Sequence, residues 1–369
     1  MDFGICVLAK PATCAQQAKL AEESGFTHVW ISDTQMMAGD PYICLALAAQ
    51  ATTRVKLCTG VAIVGTRIAP VTANSIATLN QLAPGRIVLG LGAGNSAWRA
   101  MGMAPRSLRE LRDHVRVARG LLRGEEVEYQ HGADRKTIRF FHQEHGFMNT
   151  RDAVPIHIAA NAPKAMELAG EIGDGFITSR TNSLAGWREA WSRVQQGAVR
   201  AGKDPSALYT TMLTTACLLR PGETYDSPRV KAEAGPWAML AMHALYERVQ
   251  NPTAAAEAIR PIFSEYAAFV DQERQRHGER YHLHLHDGHG LYLQSAEERF
   301  VTADVIRATT MTSTPDELIK RLKELEAAGV KQVAFLPALG TFEEFVREFA
   351  EKVLARMYNP SSTFSHLSF

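Results

Sequence analysis

The sequence of 369 residues lacks the usual features of secreted, membrane and nucleic-acid-binding proteins. Its five cysteines are scattered without a CxxC pair, which is typical of a reducing compartment and not of a disulfide framework. The net charge is only +1, so no basic excess favours nucleic acid or an anionic membrane surface. No apolar run is long enough to span a bilayer, and the N-terminus lacks the charged region of a signal peptide. We therefore expect a cytoplasmic protein that acts on a small molecule.

Short apolar segments alternate with helical segments along most of the chain. The alternation continues through eight strands, which predicts an α/β fold, a single (β/α)8 TIM barrel. The strands are predicted at 3–8, 27–31, 55–64, 86–89, 154–160, 173–177, 208–219 and 333–336. One domain is expected over residues 1–369, with a small excursion at 124–152, a long, mostly helical insertion at 221–307 after strand 7, and a tail at 359–369. We expect the excursion to contain its own strands, near 127–129 and 138–141.

Several helix boundaries carry local signals. A strongly charged amphipathic segment predicts a helix at 108–122. Pro163 suits the first position of a helix that extends to about residue 172. Thr314 precedes Pro-Asp-Glu and is predicted to be an N-cap.

The carboxyl ends of the strands are where a (β/α)8 barrel places its active site. Asp33 ends one apolar strand, where it either accepts hydrogen bonds from a ligand or caps the next helix. Gly60 interrupts another strand, which indicates either a bulge against a ligand or a small residue tolerated by packing. The same rule selects further positions at this end of the barrel: Thr34, Val61, 92–96, 159–164, Ser179 and Arg180.

The glycine-rich segment 90–94 follows the fourth strand. Glycines at such a turn let main-chain N–H groups approach an anion, although a tight turn without a ligand has the same pattern. The segment does not complete the dinucleotide fingerprint, because the third glycine would fall on Asn95 or Ala97. A Rossmann site is therefore not expected here.

Histidine is concentrated between residues 282 and 289, at His282, His284, His286 and His289. Such a cluster could bind zinc or a similar cation. It could equally supply donors for an anionic ligand or an acid–base group near neutral pH, or form a solvated loop. The sequence leaves these three interpretations open, and our principal interpretation includes no metal ion.

Five motifs in order along nearly the whole chain resemble the luciferase-like superfamily of flavin and deazaflavin oxidoreductases. They are similar above all to the branch with methylenetetrahydromethanopterin reductase and the deazaflavin-dependent glucose-6-phosphate dehydrogenases. The motifs are WISD (30–33), TGV (59–61), GLGAGNSAWRAMG (90–102), AANAPKAMELAGEIGDGF (159–176) and HDGHG (286–290).

The resemblance implies a site for coenzyme F420, with FMN as the alternative cofactor. It implies that Asp33 lies beside the cofactor, and that the strand with Thr59, Gly60 and Val61 has a bulge, with a cis Gly60–Val61 bond, behind the ring. The implied contacts to the ribityl and phosphate part are Gly92, Ala93, Gly94, Asn95 and Ser96 on one side and Ala160, Asn161, Ala162 and Lys164 on the other. The insertion 221–307 would cover the mouth and bring the histidines near the substrate.

Two positions depart from the sugar-phosphate dehydrogenases of this branch. Thr34 stands where they have a histidine that acts in proton transfer, and Asn95 and Ser96 stand where they have a glutamate. Their substrate and proton relay are therefore not carried over. We assign catalysis to Asp33, His286 and His289, the two histidines as acid–base groups.

The principal interpretation is an oxidoreductase that transfers a hydride to or from a small organic substrate with a dissociable deazaflavin or flavin. One alternative is a two-component monooxygenase that uses reduced FMN, dioxygen and a separate flavin reductase. Another is a metal-dependent barrel hydrolase with the His282–His289 cluster, although Leu8-Ala9-Lys10 replaces the HxH pair of such enzymes at the first strand. A non-catalytic flavin-binding relative is a further alternative. We expect a homodimer and no nucleic-acid partner.

Overall fold

The computed structural model describes residues 1–179, 182–248 and 259–358. These residues form two compact units. The first contains residues 1–22, the described part of 26–213, and 330–334, and the second contains 23–25, the described part of 214–329, and 335–358. Arg180 and the predicted tail at 359–369 lie outside the described residues. The expectation of one domain over the whole chain stays a prediction.

A closed barrel of eight parallel strands forms the core of the first unit, so the predicted TIM barrel is confirmed. Its strands are β1 (Asp2–Val7), β2 (His28–Ile31), β3 (Lys56–Thr59) with its continuation β4 (Ala62–Ile63), β5 (Ile87–Gly92), β8 (Ile156–Ala159), β9 (Gly175–Thr178), β10 (Tyr209–Thr214) and β11 (Gln332–Phe335). The order is β3-β2-β1-β11-β10-β9-β8-β5-β4, and pairing of β3 with β5 closes the barrel.

The strands are short and apolar because both of their faces are buried. All four residues of β2 and all six of β5 are buried, as expected for parallel strands between a barrel interior and a layer of helices. Two strand predictions were too long. The seventh strand ends at Thr214 and not at residue 219, and the third divides at Gly60 and Val61, which belong to neither β3 nor β4.

The helices of the first unit follow the strands. They are α1 (Cys14–Glu23), α2 (Pro41–Ala51), α3 (Ala69–Leu82), α4 (Asn95–Ala100), α5 (Leu108–Leu122), α6 (Pro163–Ile172) and α7 (Leu184–Arg200). Helix α5 begins with a capping box in which Ser107 accepts from the Glu110 N–H at 3.2 Å and Glu110 accepts from the Ser107 N–H at 2.8 Å. The predictions for α5 and α6 are confirmed.

The predicted excursion contains an antiparallel hairpin of β6 (Val127–His131) and β7 (Asp134–Ile138). The second strand therefore lies earlier than the predicted 138–141. Gly132 lies in the turn between them with φ of +60°, so the chain reverses direction sooner than its apolar residues suggest.

The second unit is mainly helical, as predicted for the insertion. Its helices are α8 (Pro228–Arg248), α9 (Arg260–His277), α10 (Tyr281–Leu285), α11 (Ala303–Thr309), α12 (Pro315–Ala327), α13 (Phe342–Phe349) and α14 (Ala355–Tyr358), with a π-helical turn at Ala350–Leu354. Buried side chains such as Met242, Phe263, Tyr266 and Phe300 form its core. The proposed cover of the barrel mouth by residues 221–307 stays a prediction. Within the described ranges, no helix has the length and apolar character of a membrane span.

Candidate active site

Asp33 lies just beyond β2 with only 5% of its surface exposed. One carboxylate oxygen accepts the Ile63 N–H at 3.2 Å, and the other accepts the side-chain amide of Gln35. Burial raises the pKa of Asp33 to about 6, and the opposing hydrogen bond from Ile63 is too weak to offset this effect. Asp33 therefore holds or releases a proton near neutral pH.

Asp33 does not cap the following helix, so that interpretation of the sequence was wrong. Asp40 caps α2 instead, with its carboxylate accepting the N–H groups of Tyr42 at 2.8 Å and Ile43 at 3.2 Å. Asp40 also pairs with Arg67, whose guanidinium lies 4.3 Å from the centre of the Tyr42 ring. A helix that is already capped leaves Asp33 available for another role.

The third barrel strand changes course at Gly60 and Val61, next to Asp33. Their peptide bond is cis, as the resemblance implied. Thr59 is fully buried and donates its hydroxyl to the Gly90 carbonyl at 2.7 Å, and Gly60 donates its N–H to the Ile31 carbonyl at 2.7 Å. A Cβ atom on Gly60 would lie 3.0 Å from the Trp30 side chain, a tight contact that favours glycine at this position.

The glycines of segment 90–94 have packing roles of their own. A Cβ on Gly90 would lie 2.2 Å from the Thr59 carbonyl, and one on Gly94 would lie 2.3 Å from the Ile63 side chain. Gly94 also has φ of +82° before α4, a conformation that favours glycine. Gly90 and Gly94 are thus required by packing in the barrel, and the residues Ala93 and Ser96 are partly exposed.

The barrel register brings the predicted positions of three strands together. Ile63 is opposite Gly92, and Leu91 is opposite Ile158. A Cβ on Gly92 would lie 3.1 Å from the Val61 side chain and 3.4 Å from that of Ala159. The ends of the third, fourth and fifth barrel strands therefore share one small-residue surface.

The segment that follows the fifth barrel strand leads into α6. Ala160 is buried, whereas Ala162 and Lys164 are exposed. The side-chain Oδ1 of Asn161 accepts the Thr178 hydroxyl and the Ser179 N–H, both at 3.0 Å, and so connects this turn to the end of the next strand. Helix α6 has no side-chain cap, so its first N–H groups have no partner from an N-cap side chain.

The two predicted catalytic histidines lie in the second unit. His286 follows α10 with 5% of its surface exposed, and its Nδ1 lies 3.3 Å from Nδ1 of His289. Burial lowers the pKa of His289 to about 3, so this imidazole is neutral at physiological pH. Their assignment to catalysis stays a prediction.

A third histidine, His243, joins these two, and sequence reasoning missed it. It lies on α8, 43 positions before His286, so no local motif links them. One nitrogen from each of the three rings lies within 4.8 Å of those of the other two. By contrast, His282 and His284 do not belong to this group.

The luciferase-like monooxygenase family model matches residues 1–332, so the chain belongs to that family. It is 38% identical over 209 residues to a 5,10-methylenetetrahydromethanopterin reductase of Methanolobus tindarius, a match over 56% of this chain and 62% of that protein. It is 29% identical over 329 residues to the reductase of the same name from Archaeoglobus fulgidus, covering 85% of this chain and 86% of the relative.

The fold is similar to that of coenzyme F420 dependent tetrahydromethanopterin reductase from Methanopyrus kandleri, with a TM-score of 0.69. The superposition covers 96% of this chain and 99% of that one at 22% identity, which shows a common fold. The family and these relatives support an oxidoreductase as the class of enzyme, and they do not favour the hydrolase alternative.

Proposed function

We propose that this chain is an F420-dependent oxidoreductase that transfers a hydride between the deazaflavin and a small organic substrate. The observation that carries the proposal is the likeness to the Archaeoglobus reductase, which extends over 85% of this chain and 86% of that protein. When bound, the cofactor supplies or accepts the hydride. The protein residues bind it, orient it and exclude water.

The side chains around Asp33 suit a polar ring system of this kind. Asp33 can donate a hydrogen bond when protonated and accept one when ionised, since its pKa is about 6. The Gln35 side-chain oxygen is buried with no hydrogen-bond partner among the described residues, so a ligand N–H would satisfy it. We assign Thr59, Gly60 and Val61 to the surface behind the ring.

The phosphate-containing part of the cofactor is assigned to the segment 92–96, in which Ala93 and Ser96 are partly exposed, and to the start of α6. Gly92, Ala93, Gly94, Asn95 and Ser96 would bind one side of it, and Ala160, Asn161, Ala162 and Lys164 the other. The uncapped N–H groups of α6 and the Lys164 ammonium favour a negative charge at this place. This assignment is independent of the substrate.

Proton transfer to or from the substrate falls to Asp33, with His286 and His289 as the further candidates. Asp33 has the pKa that such a group needs near neutral pH. Thr34 cannot replace the histidine of the sugar-phosphate dehydrogenases, because its hydroxyl does not titrate in this range. We therefore do not assign glucose 6-phosphate as the substrate.

A two-component monooxygenase that uses reduced FMN and a separate flavin reductase is the second candidate, favoured by the family description itself. Consumption of oxygen in the presence of reduced FMN and candidate substrates would support it. We also propose a cytoplasmic homodimer, and light scattering on the purified chain measures the oligomeric state.

Lys164 offers a direct test of the cofactor assignment. We expect Lys164→Ala to weaken F420 binding roughly tenfold, because one charge-assisted contact to an anion is lost. The matched control is Lys136→Ala, since Lys136 is an exposed lysine on the β6–β7 hairpin. Equal F420 affinity of both variants in a fluorescence titration would contradict the assignment of Lys164.

A further inference from the structure

Three histidines in the second unit form a compact group, in which His243 and His286 are buried and His289 is half-buried. His243 is 2% exposed and His286 is 5% exposed, and one nitrogen of each lies within 4.8 Å of one nitrogen of His289. An exposed imidazole is solvated by water, whereas a buried one needs a partner at each nitrogen. The partners of these rings therefore indicate what the group is built to hold.

Two of the three imidazole rings each have a carboxylate beside their Nε2 atom. Nε2 of His243 lies 2.6 Å from the Glu297 carboxylate, and Nε2 of His286 lies 3.1 Å from that of Glu247. Carboxylate oxygens only accept, so both Nε2 atoms carry the proton and donate. In the neutral imidazole this leaves a lone pair on Nδ1 of both rings.

Hydrogen bonds among the described residues satisfy only one of these two lone pairs. Nδ1 of His243 is buried and has no hydrogen-bond partner among the described residues. Nδ1 of His286 lies 3.3 Å from Nδ1 of His289, so a hydrogen bond there satisfies that pair alone. A cation that accepts a lone pair from each ring satisfies all three.

We propose that His243, His286 and His289 bind a divalent transition-metal ion, with Zn²⁺ as the expected occupant. Imidazole nitrogen is a preferred ligand of Zn²⁺, and three histidines leave a fourth position for water. Glu297 and Glu247 then act as the outer carboxylates that fix the tautomer and orientation of metal-binding histidines. The proposal does not depend on the cofactor assignment, and an ion bound by His286 and His289 would leave Asp33 alone as the candidate for proton transfer.

The surroundings of the group are consistent with entry of an ion. A cleft of about 290 Å³ is lined by Glu297, which holds His243, and by Leu285, which precedes His286. The ion would connect α8 to the turn after α10, two segments otherwise far apart in sequence. We expect this connection to stabilise the second unit.

The test uses the full chain, purified, treated with a chelator and then given Zn²⁺ or Co²⁺. We expect one equivalent of Zn²⁺ by elemental analysis, a higher Tm with Zn²⁺, and the visible absorption bands of four-coordinate Co²⁺. A chain that retains less than one tenth of an equivalent, shows no Co²⁺ bands and keeps its Tm when Zn²⁺ is added would overturn the proposal.

Variants locate the ion. His243→Ala and His289→Ala should each abolish stoichiometric binding, and Glu297→Gln should weaken it about 10–100-fold through loss of the outer carboxylate. Two controls should retain binding: His284→Ala, and the double variant His142→Ala/His145→Ala, which removes the exposed histidine group of the first unit. Loss of the ion in the double variant and its retention in His289→Ala would overturn the assignment. The Co²⁺ spectrum of the unsubstituted chain remains decisive if a variant does not fold.

Discussion

The ends of the barrel strands and the histidine group of the helical unit differ in how their polar groups are held. At the strand ends, Asp33 is fixed by main-chain contacts, such as the N–H of Ile63, and by strand register. In the helical unit, His243 is held by another side chain, Glu297, which lies 54 positions away. The first kind of site is specified by backbone geometry, and the second by packing between helices.

This difference has a consequence for the effects of substitution. A main-chain site in a parallel barrel tolerates little change of volume, because neighbouring strands are fixed by hydrogen bonds on both sides. A side-chain site can lose one member and leave the others with unmet polar atoms. Substitutions should therefore destabilise the barrel strand ends through steric clash, and the histidine group through polar atoms left without partners.

The largest effect is expected for Gly90→Ala in the barrel. The new Cβ would lie 2.2 Å from the Thr59 carbonyl, and a main-chain atom in a barrel cannot move far. We expect a loss of about 3 kcal/mol or more in the free energy of unfolding, measured by urea titration. Gly329→Ala is the control, because its Cβ meets nothing within 4 Å and only its φ of +93° costs about 1 kcal/mol. Equal losses would contradict the rigid-barrel argument.

The next effect is expected for His243→Ala, measured with a chelator present. The Glu297 carboxylate would remain buried, at 3% exposure, without the His243 donor, which costs about 3 kcal/mol. Glu297→Gln should cost less, because the amide oxygen can still accept from Nε2 of His243. His284→Ala should cost below about 1 kcal/mol, since His284 is exposed. If His243→Ala lowered the free energy of unfolding no more than His284→Ala, the His243–Glu297 pair would not contribute to stability.

Asp33→Asn is expected to have a smaller effect and to raise the free energy of unfolding instead of lowering it. The folded-state pKa of Asp33 is raised to about 6 from 3.8, so the folded chain binds this proton more tightly and stability falls as the pH rises from about 4 to about 6. Asparagine removes this loss, so the variant should be about 2 kcal/mol more stable at pH 8 and equally stable at pH 3.5. The N–H of the introduced amide can donate to the Gln35 side-chain oxygen, which is buried with no hydrogen-bond partner among the described residues.

Urea titrations of both proteins between pH 3.5 and 8 check this prediction. If the variant is no more stable than the original chain at pH 8, the buried ionised carboxylate of Asp33 does not lower the free energy of unfolding. The same variant should bind the cofactor more weakly, as expected where a functional group is retained against stability.

The smallest effects compare one helix cap from each unit. Ser107→Ala removes the cap of α5, and Thr314→Ala removes the capping box that Thr314 forms with Glu317 at the start of α12. Each should cost about 1 kcal/mol. If the two units unfold independently, calorimetry should show each variant lowering a different transition. A single transition that both variants lower equally would support one cooperative domain over residues 1–369.

Much of the barrel could be predicted because its local signals agree. Pro163 begins α6, the Ser107–Glu110 pair begins α5, and Thr314 caps α12, so local chemistry alone fixes these boundaries. The second strand of the hairpin was predicted too late in the sequence. The chain reverses direction at Gly132, whereas the apolar residues near 138–141 suggested a later strand.

Local sequence signals also explain why the strand-end site could be predicted from the sequence and the histidine group only in part. Asp33 and Gly60 could be found in the sequence, because the carboxyl end of each barrel strand is a position that periodicity predicts. His243 could not, since nothing near α8 marks it and only the packing of α8 against the 286–289 turn brings it to His286. The sequence also could not show that the Gln35 oxygen lacks a partner within the described part of the chain, because this depends on the side-chain geometry around Asp33.

Titration of the purified chain with F420, oxidised FMN and reduced FMN under anaerobic conditions tests the central claim most directly. The account predicts saturable binding of F420 with one site per chain, at least tenfold tighter than either form of FMN. Tighter binding of reduced FMN than of F420 would contradict the account and favour the monooxygenase. Binding of neither cofactor would contradict both.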